Sequence, residues 1–72
     1  MSAAETVADW NRRYKPGQPV RVKPWKGERV AVDTRTASLA GIFRDDAGLY
    51  AGVAVACQPA GAHVPLSRIE VL

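Results

Sequence analysis

Seventy-two residues, 47% apolar and 24% charged with a formal net charge of +3, describe one small domain. A chain this short buries only about 60% of the surface it exposes when unfolded. With one cysteine and one histidine, an intrachain disulfide and a four-ligand Cys/His metal site are both excluded as supports for the core.

Ser2-Ala3-Ala4-Glu5 places a hydroxyl and a carboxylate at capping-box spacing, which predicts a helix over Ala3 to Arg13. Ala3, Val7, Trp10 and Tyr14 recur at steps of three and four and give that helix one apolar stripe. Glu5 and Asp9 stand early and Arg12 and Arg13 late, which suits the helix dipole. Lys15-Pro16-Gly17 ends it, because proline cannot continue the hydrogen-bond ladder and glycine accepts a positive φ. Residues 1–15 therefore read as a helical appendage that docks Val7 and Trp10 onto the remainder.

From Pro19 the period becomes two. Val20 and Val22 alternate with Arg21 and Lys23, a first strand with one buried and one basic side. Pro24 to Arg29 breaks the alternation and reads as a long loop. Val30-Ala31-Val32 fits a short strand on its far arm, and Thr34 to Phe43 a longer strand with Thr34, Thr36 and Ser38 on one face and Ala37 and Leu39 on the other. Asp45-Asp46-Ala47-Gly48 is a hairpin turn. Leu49 to Cys57 follows as a strand with Val53 and Val55 pointing inward; Gly52, Ala54 and Ala56 are small, as expected where a sheet bends or another backbone approaches. Cys57 then closes a buried strand, and Pro59-Ala60-Gly61 forms the next turn.

The last ten residues, His63 to Leu72, read as a short strand, one tight helical turn and a closing strand. A Val-Pro step into a single 3₁₀ turn before the final strand resembles the end of small SH3-like barrels. The expected fold is mainly β: a five-stranded SH3-like barrel over residues 16–72 with the N-terminal helix attached, all within one domain of residues 1–72.

Eight of the ten cations fall between Arg12 and Arg35, against only Glu28 and Asp33, so that segment carries +6 and the rest −3. Such a field attracts phosphate or an acidic protein surface. The candidate binding residues are Arg21, Lys23, Trp25, Lys26, Arg29 and Arg35. Trp25 stands among charged, proline and glycine residues, where a large aromatic suits either an interface anchor or a plug for the end of the barrel. Enzymatic chemistry finds little support. His63 has no nucleophile beside it, Cys57 has no neighbouring cation to lower its pKa, and adjacent Asp45 and Asp46 project apart rather than across a cleft. No phosphate-binding or dinucleotide glycine pattern occurs. The expectation is thus a protein without catalytic residues, metal or cofactor. With no basic-then-apolar leader and no run near 20 apolar residues, it is expected to be soluble and cytoplasmic rather than membrane-bound, its lone thiol suiting a reducing compartment.

Trp10-Asn11, Tyr14, Gly17, Val20, Thr34-x-Thr36-x-Ser38, Val53-x-Val55 and the run from Val64 to Leu72 together resemble small proteins encoded in bacterial phages and prophages. The resemblance covers most of the chain from Trp10 onward and departs most in the loop at Pro24-Trp25. It implies a compact, non-enzymatic accessory protein, and the charge asymmetry with the loop Trp25 points to one that works by binding or assembly with a protein partner. The alternative is sequence-independent nucleic-acid binding through the basic face around Trp25.

Overall fold

A computed structural model describes residues 2–24, 27–58 and 62–72. Helix α1 (Ala3–Arg13) begins where Ser2 caps it: the Ser2 Oγ accepts the Glu5 N–H and donates to the Glu5 carboxylate, both at 3.2 Å. It ends at Tyr14, whose extended backbone still sends its N–H to Trp10 O at 2.8 Å. Gly17, at φ +94°, then turns the chain into β1 (Pro19–Val22).

The remaining strands are β2 (Val32–Arg35), β3 (Gly41–Asp45), β4 (Gly48–Val53), β5 (Val64–Pro65) and β6 (Ile69–Val71), with a 3₁₀ turn at Leu66–Arg68 between the last two. Two three-stranded antiparallel sheets result, ordered β2-β1-β6 and β3-β4-β5. The first strand thus pairs with the last, Val20 opposite Val71 and Val22 opposite Ile69. The β3–β4 turn is Asp46-Ala47; the Asp45 carboxylate accepts the Ala47 N–H at 2.8 Å, and Gly48 takes φ +119°.

Among the described residues the expected five-stranded barrel is corrected to six strands in two sheets, because the strand expected over Thr34 to Phe43 is broken. Thr36 bridges Val55, and Ala37 donates to Ala54 O at 2.8 Å, but Gly41 already faces Gly52. Four residues on one side span two on the other, so the chain buckles between Ala37 and Gly41 and passes from the first sheet to the second. Asn11 holds that corner from the helix. Its Nδ2 donates to Ala40 O at 3.1 Å and its Oδ1 accepts the Ala40 N–H at 2.8 Å. The alternation survives the buckle, with the Thr36 and Ala40 face turned inward and Leu39 outward at 56% exposure.

Two strand limits also move. The strand placed at Val30-Ala31-Val32 starts only at Val32, leaving Val30 outside the ladder and 73% exposed. The strand from Leu49 to Cys57 stops at Val53; Val55 keeps only its bridge to Thr36, and the chain then turns, Gln58 donating to Val55 O. Cys57 falls in that turn and is exposed, not buried. The turn expected at Pro59-Ala60-Gly61 lies outside the described residues.

The core between the sheets is Val20, Val22, Val53, Val55, Val64 and Ala40, and Val7 and Trp10 of α1 pack against it with Leu66 and Ile69. Thr36 is the buried polar residue among them. Its N–H and C=O bond Gln18 O and Gly17 N–H, and its Oγ1 accepts the Gln18 N–H at 3.1 Å. Among the described residues no helix is long and apolar enough to cross a membrane.

Candidate functional site

Alternation along β1 settles where the candidate cations go. Val20 and Val22 are buried, so Arg21 projects from the outer side of its sheet. Directly opposite it stand Asp33 on β2 and Glu70 on β6. The Arg21 guanidinium grips the Asp33 carboxylate with two bonds, Nε to Oδ1 at 2.7 Å and Nη2 to Oδ2 at 3.2 Å. That hydrogen bonding raises the Arg21 pKa above its ordinary value and lowers the Asp33 carboxyl below the usual carboxylate range. The middle of this sheet face therefore alternates acid, base, acid rather than presenting a run of cations.

The other candidates separate to the two ends of the β1–β2 hairpin. Lys23 and Arg29 are exposed at the loop end, and Val30 lies beside Arg29. The main chain of Lys23 is fixed there: its N–H reaches Arg68 O at 2.8 Å and its C=O accepts Arg68 Nη2 at 3.0 Å. Trp25 and Lys26 belong to the same loop in sequence but lie outside the described residues. Arg35 is exposed at the opposite end, facing Pro19 across the ladder. It stands three positions along the strand from Val32, about 10 Å away. The structure thus brings Lys23 and Arg29 to one end, holds Arg21 in a pair and sets Arg35 apart.

Near Arg35 the α1–β1 connection forms an open cleft of about 350 Å³ lined by Arg13 to Pro19, with the Tyr14 ring 4.4 Å from that of Trp10 and tilted by 53° to it. Arg12 and Arg13 both pair with Asp9, which moderates the cationic field there.

A second cluster has no counterpart in the sequence reading. Phe43 and Tyr50 face each other across the β3–β4 hairpin, ring centroids 5.9 Å apart, and His63 stacks on Phe43 at 3.7 Å with 24° between planes. All three are half-buried. Phe43 and Tyr50 lie over Gly52, where a Cβ would come within 2.8 Å of the Tyr50 ring and 3.2 Å of Phe43. The Phe43–Tyr50 pairing was available in the sequence as two aromatics equidistant from a two-residue turn. The arrival of His63 depends on β4–β5 pairing and leaves no local signal.

Among the described residues no three of His, Cys, Asp and Glu gather closely enough to hold a metal ion. Comparisons with protein-family models, with curated proteins and with solved structures find no match to this chain.

Proposed function

We propose that this is a non-enzymatic protein-binding or assembly module of SH3-like architecture, of the kind that bacterial phages and prophages encode as cytoplasmic accessory proteins. Three features support the architectural part: the terminal strand returns beside the first, a 3₁₀ turn precedes it, and one buckled segment serves both sheets. The partner is a protein with an acidic docking surface, and it engages the β1–β2 loop end.

One observation carries this reading. At that end two exposed cations, Lys23 and Arg29, neither in an ion pair among the described residues, accompany Val30 at 73% exposure. An exposed branched apolar side chain at a loop end that also carries cations, with Glu28 beside Arg29, has the composition of a protein interface, apolar contact for affinity and charge for steering. Residues Trp25 and Lys26 belong to the same loop in sequence and add an aromatic anchor and a further cation to the proposal.

The experiment is affinity capture from host cells, followed by quantitative binding of the captured partner to the Lys23→Glu/Arg29→Glu double variant, to Val30→Ser and to Trp25→Ala. Each is expected to weaken binding about tenfold or more, with the charge variant acting chiefly on the association rate and its salt dependence. Arg44→Glu, at the far hairpin, should bind as the parent does. Undiminished binding by the loop variants overturns the reading.

A further inference from the structure

We infer that the outer face of the β3-β4-β5 sheet is a stacking platform for unpaired nucleic-acid bases, with Tyr50 and the Phe43–His63 stack as its aromatic surface and Arg35 as a phosphate contact. This surface is separate from the loop end and does not depend on the protein partner proposed there.

The rings are prepared for such a role. Phe43 and Tyr50 sit on facing strands and His63 stacks on Phe43, so their orientation is set before any ligand arrives. Gly52 below them leaves space that any side chain would fill, a Cβ meeting Tyr50 at 2.8 Å and Val64 O at 3.2 Å. Gly41 does the same under the Phe43 ring, at 3.3 Å. The glycines lie against Phe43 and His63 stacks on it, while the Phe43 and Tyr50 planes differ by 41°; all three rings retain partial exposure.

The same face leads to a cation. Val53 and Val55 are buried, so Gly52, Ala54 and Ala56 share the outward side of the chain. Ala37 bonds Ala54, and Arg35 O accepts the Ala56 N–H at 2.9 Å, which places Arg35 on that side at the end of a track of small residues. From Gly52 to Ala56 this track is about 13 Å long. Arg35 is exposed and makes no ion pair among the described residues. Beyond it, past Pro19, lies the cleft that carries Lys15 and Arg13. The opposite end of the face carries Asp45, so the favourable potential runs one way, from the rings toward Arg35.

Aromatic rings joined by a track of small residues to a cation match a ligand with planar π faces and an anionic backbone. Single-stranded DNA or RNA offers both, whereas an acidic peptide has the charge without the planes and a duplex keeps its base faces stacked internally.

The test is a fluorescence-anisotropy titration of a labelled oligothymidylate of about 12 nucleotides, within the ~4–16 spanned by comparable sites, against a duplex of equal length at about 50 mM salt. Single strands are expected to bind about tenfold more tightly than the duplex. Phe43→Leu and Tyr50→Leu, which keep apolar bulk and lose the aromatic face, should each weaken binding about 5- to 100-fold. Arg35→Ala, at an exposed side chain, should flatten the plot of log K against log salt by about 0.7. Circular dichroism checks that each variant is folded; if the ring variants are not, the Arg35→Ala slope and the single-strand preference decide. No binding to the single strand, equal binding to the duplex, or parental affinity in folded Phe43→Leu and Tyr50→Leu each overturns the proposal. So does loss of binding in Lys23→Glu/Arg29→Glu while the ring variants bind normally, since that assigns the nucleic acid to the loop end.

Discussion

The amide of Asn11 does for Ala40 what a neighbouring strand would otherwise do, supplying both a donor and an acceptor to a main chain that has left one ladder and not yet joined the next. Removing it strands a half-buried N–H and C=O at the corner. Asn11→Ala is therefore expected to cost about 1–3 kcal/mol in urea denaturation. Asn11→Asp, which keeps the acceptor and loses the donor, should recover only part of that. A quite different dependence belongs to Asp33. Its carboxyl is held below the ordinary range by the hydrogen bond from Arg21. A carboxylate depressed in the folded state stabilises fully above its unfolded pKa near 3.9, and that contribution disappears as pH falls through the lower folded value. Thermal unfolding of the parent should therefore lose more in melting temperature between pH 5 and pH 2 than Asp33→Asn does, since the variant has no such carboxylate to protonate. Equal losses in the two proteins would show that the pair contributes nothing to folding.

At the level of elements, local chemistry was sufficient wherever an element is specified by its own few residues. The helix begins at Ser2 because the hydroxyl and Glu5 are three apart, the β3–β4 turn falls at Asp46-Ala47 because Asp45 and Gly48 flank it, and the 3₁₀ turn follows Val64-Pro65. The buckle after Thr36 was not legible, because it is fixed by Asn11 and by Val55, one upstream and one downstream of the segment they hold. The candidate site divides in the same way. Charge counting along the chain found the cations, but only the β1–β2 register shows that Asp33 stands opposite Arg21 and neutralises the centre of the supposed basic face. The aromatic cluster needs two registers at once, and so it escaped a linear reading. Its glycine supplies an element-scale prediction. Gly52→Ala puts a methyl 2.8 Å from the Tyr50 ring and 3.2 Å from both Phe43 and the Val64 carbonyl oxygen. The rings must move and the oxygen cannot move far, so a loss of about 1–3 kcal/mol is expected in chemical denaturation. Near-ultraviolet circular dichroism should change with it, because Tyr50 is displaced.

Across the whole molecule the small side chains of the core set how the binding experiments should read. Among the described residues its buried members are five valines and one alanine, and Val7 with the larger side chains Trp10, Leu66 and Ile69 contributes only from the margin. For 72 residues a stability of about 4–11 kcal/mol is ordinary, so each buried methyl matters. Val53, fully buried, loses two methyl equivalents on going to alanine, about 1.5 kcal/mol in transfer alone and more once the cavity is counted. Val53→Leu should also destabilise, by about 1–3 kcal/mol, because the space between two short-stranded sheets is already filled. By contrast Val30→Ser and Arg35→Ala, at exposed positions away from this valine layer, should stay within about 0.5 kcal/mol of the parent. Urea denaturation of the four variants side by side separates the two groups. With that separation in hand, any loss of ligand by the Val30 or Arg35 variant is a property of the surface; if those two unfold as readily as Val53→Ala, the outer faces support the fold and cannot be treated as sites free to serve a partner.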